Sequence, residues 1–268
     1  MPTRDEMLEI TVGSHAIEAT LIVPDTRMPG VLFLHGWGGS QAQSAVRARE
    51  IAALGCACLT VDMRGHAKTA TEQATVTRED NLRDALAAYD TLAHEAAVDD
   101  DQIAVVGSSY GGYLATILTT LRPVKWLALR APALYKDADW TSPKLALREL
   151  QSLEAYRRMV IEARDNRALR AATGYRGDVL VVESAHDTII PHEVIENYRH
   201  AFAGARSLTY RVIDGADHGL TDPACRKVYT MLLVNWITEM IASKRTDNTA
   251  AQKRLQEVMK TQQAGTAR

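Results

Sequence analysis

The pattern of apolar and polar positions opens with alternation. Leu8-Glu9-Ile10-Thr11-Val12 alternates cleanly, and Ala16–Val23 does so more loosely around Ile17 and Leu21. Gly13-Ser14-His15 between them has turn chemistry and Pro24 stops the second run, so this part reads as an antiparallel hairpin. The pattern then changes to short continuous apolar runs at Val31–Leu34, Cys56–Val61, Ile103–Val106, Trp126–Leu129 and Val179–Val182. Such runs, bounded by turn residues, suit strands covered on both faces. Ser207–Ile213 reads as the last strand. Helical spacing separates the strands: Gln41–Leu54 closed by Gly55, Thr77–His94, the run from Tyr113, Pro191–Phe202 and Pro223–Met240. In the second of these, Thr77 and Asp80 read as a capping pair, with Leu82, Ala85, Leu86, Tyr89 and Leu92 as the buried stripe.

Strands alternating with helices predict an α/β architecture, a mostly parallel sheet flanked by helices and entered by the hairpin. Asp99-Asp100-Asp101 reads as an exposed turn before the central strand. From about Leu134 to Arg176 the rhythm stops. Two helices are expected there, near Lys144–Leu150 and Leu153–Leu169, as a helical cap insertion over the sheet that lines the substrate pocket. One domain is expected over residues 1–242. Residues 243–268 are polar and read as a tail, either a short helix or disordered.

Composition narrows the function. The chain has 268 residues, 46% of them hydrophobic, and a net charge of −2. That is enough for a full core and gives no electrostatic reason to expect nucleic acid or an anionic membrane as partner. No apolar run reaches the length of a membrane span, and Met1–Met7 carries two acids and no apolar centre, unlike a secretory signal. Cys56 and Cys58 are expected on opposite faces of one strand; with Cys225 the count is odd, so free thiols and a cytoplasmic location are expected. No H-E-x-x-H or paired metal-ligand spacing is present, and neither a metal nor any other cofactor is expected.

The candidate chemistry gathers at the carboxyl ends of the strands, where open α/β sheets bind ligands. Gly107-Ser108-Ser109-Tyr110-Gly111 is a G-x-S-x-G pattern between a strand and a helix, which puts Ser109 on a sharp turn as a candidate nucleophile. A serine hydroxyl needs a base to take its proton, and the base needs an orienting carboxylate. Of the downstream histidines His186, His192, His200 and His218, only His218 follows the last strand in a glycine-flanked loop. Glu183, Asp187 and Asp214 compete as the acid, and chain order and loop length favour Asp187. The oxyanion formed on attack needs backbone donors, for which the N–H groups of Tyr110 and Trp37 are the candidates, and both residues would also touch substrate.

On these residues the chain resembles the α/β-hydrolase superfamily, and within it the serine esterases and peptidase-like hydrolases related to dienelactone hydrolase. The matching stretches are His35-Gly36-Trp37-Gly38-Gly39, Asp62-Met63-Arg64-Gly65-His66, Gly107–Gly112, Asp187 with Pro191, and Asp217-His218-Gly219. The resemblance implies the α/β-hydrolase fold and a serine hydrolase acting on a small-molecule acyl ester through an acyl-enzyme. Thioesters or amides would use the same groups. Ala67 stands where the family often has Gly, and Ser184 where a Gly commonly precedes the acid. Dienelactone hydrolase itself uses a cysteine nucleophile where this chain has Ser109. The rival readings are a binding protein that keeps the fold without turnover and a metal-dependent hydrolase.

Overall fold

A computed structural model describes residues 3–24 and 28–243. The tail expected from residue 243 onward lies outside the described residues save for its first position. The alternating N-terminal runs form β1 (Thr3–Val12) and β2 (His15–Pro24), paired antiparallel from Val12↔His15 outward. The continuous apolar runs form β3 (Met28–Leu34), β4 (Ala57–Val61), β5 (Val98–Ser108), β6 (Trp126–Arg130) and β7 (Asp178–Ser184), followed by β8 (Ser207–Ile213). They make one eight-stranded sheet in the order β1-β2-β4-β3-β5-β6-β7-β8. All pairs from β4 to β8 are parallel, and β2 joins β4 antiparallel.

The helices are α1 (Ala42–Ala53), α2 (Arg78–Ala93), α3 (Tyr110–Leu118), α4 (Leu147–Leu150), α5 (Leu153–Arg157), α6 (Arg167–Gly174), α7 (His192–Ala201) and α8 (223–243). They cover both faces of the sheet, which explains why the central strands lack a polar side. Val31, Phe33, Ala104, Val106, Leu180 and Val182 pack toward α1 and α8, while Leu32, Leu34, Ile103, Val105, Val179 and Val181 pack toward α2, α3, α6 and α7. Side chains alternate along each strand, so each run feeds two cores at once. The same alternation corrects the reading of Cys56 and Cys58. Two residues apart means the same face, and both lie in the α1/α8 core as free thiols.

Two further expectations change. Asp99-Asp100-Asp101 is part of β5, not a separate turn: pairing with β3 jumps from Pro29↔Asp99 to Gly30↔Ile103, and the residues between bulge out. The helix expected over Leu153–Leu169 is two helices, α5 and α6. Asn166 divides them because its side chain does more at a cap than it could inside a helix. Its Oδ1 accepts the N–H groups of Ala168 and Leu169 at 3.0 and 3.2 Å, and its Nδ2 donates to the Tyr135 carbonyl at 2.8 Å and to Tyr156 Oη at 3.0 Å. The capping pair of α2 forms as expected, with Thr77 and Asp80 each bonding the other's backbone N–H.

Asn166 is fully buried, so replacing it with alanine strands the Tyr135 carbonyl and uncaps α6. Asn166→Ala is expected to lower unfolding free energy by about 2–4 kcal/mol, from a lost cap and a stranded acceptor. Urea denaturation measures this; a variant as stable as the parent would mean that the cap does not hold α6.

Candidate active site

The site is built on one strained residue. β5 ends at Ser108 and α3 begins at Tyr110, which leaves Ser109 at φ 51° and ψ −114°, a region that residues with a Cβ seldom adopt. Neighbouring backbone holds it there. The Ser109 N–H donates to the Arg130 carbonyl at 2.9 Å, and its carbonyl accepts from Ala133 at 2.9 Å and Tyr113 at 3.1 Å. The glycines are a matter of space. A Cβ on Gly111 would lie 2.5 Å from the His35 carbonyl oxygen and closer still to that of Leu34, and one on Gly107 would lie 2.6 Å from the Gly111 oxygen.

Ser109 Oγ faces His218 Nε2 at 3.1 Å, and His218 Nδ1 faces Asp187 Oδ2 at 2.7 Å. The loops after β5, β7 and β8 therefore bring three sequence candidates together. The other oxygen of Asp187 accepts the N–H groups of Ile189 and Ile190, both at 2.8 Å, which leaves Oδ2 for the imidazole. With Nδ1–H donated to the carboxylate, Nε2 is free to accept the serine proton. Asp187 is 3% exposed and His218 26%, so the carboxylate is shielded while the ring reaches the cavity. The competing acids are engaged elsewhere: Glu183 accepts from Tyr210 and pairs with His192 Nδ1 at 2.9 Å, and Asp214 binds the Gly215 N–H of its own turn at 3.0 Å. His186 contributes through its backbone, donating to the Ala216 carbonyl at 2.8 Å and tying the two loops together.

Two histidines that motif reading treated only as parts of a loop and a turn prove to shape the rest of the site. His35 donates Nδ1–H to the Gly36 carbonyl at 2.8 Å and accepts the Met63 N–H on Nε2 at 3.1 Å. His66 donates Nδ1–H to the Met63 and Arg64 carbonyls, each at 3.1 Å, and accepts the Gly38 N–H at 3.0 Å. Both must be neutral to accept, and burial makes them so: it pushes His35 down to about 4 and lowers His66. The turn they grip is fixed in turn by the buried Arg64–Asp84 pair at 2.7 Å, and Asn81 bridges the Arg64 carbonyl to Tyr110 Oη. The sequence signal was the two histidines themselves, one in each glycine-containing turn.

This clamp commits the Gly38 amide to His66. Among the described residues the N–H groups of Trp37 and Tyr110 have no protein acceptor. The loop lies against Ser109, since a Cβ on Gly36 would come within 3.3 Å of the Ser109 Cβ. The Trp37 ring rests edge-on against His66 and Tyr110, at 4.8 and 5.7 Å. The two departures from the family pattern have visible effects. Ala67 takes a left-handed φ of 47°, where Gly would be unstrained, and Ser184 supplies an oxygen 3.2 Å from Arg130 Nη1.

A cavity of about 380 Å³ opens beside Ser109, bounded by Trp37, Arg47, Arg130, His218 and Arg226 among others. None of its lining comes from residues 134–176, so the expectation that the insertion lines this pocket is not met. That segment reaches the site by another route, with the Lys144 ammonium packed over the rings of Trp37, Tyr110 and Tyr135 at 4.5–4.9 Å. Among the described residues no group of three His, Cys, Asp or Glu could hold a metal, and no helix is long and apolar enough to cross a membrane.

Residues 28–166, just over half of the chain, match the family described as serine aminopeptidase, S33. The chain belongs to that family. Its fold is the α/β-hydrolase fold, as the sequence resemblance implied. This S33 chain is 29% identical over 192 residues to two proteins of Mycobacterium tuberculosis strains, described only as uncharacterized. The match covers 71% of the chain and 63% of those proteins, so it spans less than two thirds of their length. In structure it is similar to dienelactone hydrolase from Anabaena variabilis, with a TM-score of 0.64, 18% identity, and coverage of 88% of this chain and 98% of that one. It is also similar to Est1E from Butyrivibrio proteoclasticus, solved with ferulic acid bound, with a TM-score of 0.66, 18% identity, and coverage of 88% and 99%. At these identities the likeness is one of fold.

The buried neutral His35 makes stability depend on pH. Its folded value of about 4 lies below the ordinary 6.5, so the unfolded chain takes the proton first. The contribution is complete above about pH 6.5, declines as pH falls and is lost below pH 4; from the size of the shift it amounts to about 3 kcal/mol. His66 is shifted in the same direction and adds to the slope. Unfolding free energy measured by urea titration from pH 7 to 4.5 is expected to fall, and the fall to flatten in His35→Gln. Parallel slopes in the two proteins would show that His35 does not titrate in this way.

Proposed function

We propose that this S33 family member is a serine hydrolase that cleaves small carboxylic esters through an acyl-enzyme. The observation that carries the reading is the line Ser109 Oγ–His218 Nε2 at 3.1 Å and His218 Nδ1–Asp187 Oδ2 at 2.7 Å, placed above a strained strand-to-helix turn. Ser109 Oγ attacks the ester carbonyl carbon as His218 Nε2 takes its proton. Asp187 holds the ring in the required tautomer and stabilises the imidazolium. The Trp37 and Tyr110 N–H groups receive the developing oxyanion, since neither is spent on the protein. His218 then returns the proton to the leaving alcohol, and water, activated by the same nitrogen, releases the acid and restores Ser109.

The family's description would equally suit a free peptide amino terminus as the group recognised. That reading calls for a carboxylate in the cavity to grip an ammonium group. The lining residues of the cavity include three arginines and no Asp or Glu. The charge of the pocket favours the ester.

Ser109→Ala is expected to abolish both ester turnover and labelling by a fluorophosphonate probe while the fold persists, and Ser108→Ala to keep substantial activity. A dead Ser108→Ala beside an active Ser109→Ala would mean the wrong serine has been assigned. Among the acids, Asp187→Asn is expected to lower kcat on the order of 10⁴-fold, the loss seen when a triad acid is amidated. Glu183→Gln and Asp214→Asn should keep most activity. An active Asp187→Asn with an inactive Glu183→Gln would move the acid to the end of β7.

A further inference from the structure

The arginines of the cavity come from three separate elements: Arg47 from α1, Arg130 from the end of β6 and Arg226 from α8. Among the described residues, the arginines that pair with carboxylates are others, and none of these three does. Their bonds go to neutral oxygens. Arg47 donates to the Gln43 carbonyl, and Arg226 to the Leu220 and Thr221 carbonyls at 2.9 and 2.8 Å. Arg130 donates to Ser184 Oγ and, at 2.8 Å, to the His218 carbonyl. The acids in the neighbourhood are committed, Asp187 to His218 and Asp217 to Thr221.

Arg47 and Arg130 also lie against one ring. Their guanidinium carbons lie 5.1 and 5.9 Å from the centre of the same ring, that of Tyr229, and Arg130 is only 7% exposed. Burial weighs against the Arg130 charge, Asp187 and Asp217 favour it and Arg47 opposes it; an opposite charge in the cavity would offset the burial cost further. Holding the His218 loop accounts for Arg130. It does not account for Arg47 or Arg226, which contribute nothing to that bond and face the same space.

We propose that this cavity is an anion subsite, and that the substrate is an ester carrying a carboxylate or phosphate group held by Arg47 and Arg226, with Arg130 behind them. The proposal deepens the hydrolase reading, on which it rests for the nearness of Ser109 and His218. An arginine fork matches either anion, so the two are separated by experiment.

Binding tests the subsite without turnover. Ser109→Ala protein is titrated by calorimetry with glutarate, with propyl phosphate and with uncharged glutaramide. At least one anion is expected to saturate and glutaramide not; the tighter anion names the group. Adding Arg47→Gln or Arg226→Gln should weaken that anion by about tenfold or more, the worth of one charge-assisted hydrogen bond. Both side chains reach solvent, and melting temperatures confirm that the variants fold. No saturable anion binding, or binding indifferent to both substitutions, overturns the proposal.

Turnover gives a second readout, comparing mono-p-nitrophenyl glutarate with p-nitrophenyl valerate. The wild type is expected to favour the anionic ester in kcat/KM, and Arg47→Gln to reduce that ratio through KM. Equal use of both esters without anion binding removes the subsite and leaves the hydrolase. Arginine-dependent anion binding in a protein that neither turns over esters nor takes the fluorophosphonate label keeps the subsite and removes the hydrolase reading.

Discussion

The arrangement depends on how closely the first turn of α3 approaches the end of β3. Gly111 sits against the carbonyls of Leu34 and His35 with no room for a side chain. That approach sets Ser109 at its strained φ, because the chain must reverse from β5 into α3 within one residue. It also places the loop after β3 directly beside the serine, since β3 and β5 are neighbours at the centre of the sheet. Ser109 and the amides proposed to serve it thus come from one packing constraint, and the strain is held by the hydrogen bonds of the Ser109 backbone with Arg130, Tyr113 and Ala133.

Around that contact the buried polar groups are of two kinds. Most are satisfied and serve as framework. His35 and His66 are kept neutral by burial so that each can accept a backbone N–H, and Arg64 is matched by Asp84. Arg78, buried without a carboxylate, donates from Nη1 to Tyr113 Oη and the Lys136 carbonyl and from Nη2 to the Ala138 carbonyl, which anchors the segment after β6, while its buried Nε has no partner among the described residues. The arginines of the cavity differ in facing open space next to Ser109. A buried network with every member partnered rigidifies a site; cations left facing a cavity are a way to choose what enters it.

Much of the architecture was legible because the strands are covered on both faces and so are apolar throughout, and because Gly and Pro punctuate them. The capping pair at Thr77 and Asp80 is local chemistry and could be read directly. The helix break at Asn166 could not, since it turns on the carbonyl of Tyr135, 31 residues away, and the hydroxyl of Tyr156, which only the fold brings to the Asn166 side chain. The bulge at Asp99–Asp101 likewise exists only relative to β3.

The sequence by itself determined the α/β class, the G-x-S-x-G turn and the set of residues able to do acid, base and nucleophilic chemistry, because these follow from periodicity and residue type. Tertiary structure decided which of them meet. It turned Asp187 rather than Glu183 or Asp214 toward His218, made His35 and His66 neutral supports, and left the segment from Leu134 outside the cavity lining. It also drew Arg47, Arg130 and Arg226 together from positions 47, 130 and 226. The physical reason is the same throughout: hydrogen bonds and charges act over a few ångströms of space, and only the packed sheet sets which distant residues lie that close.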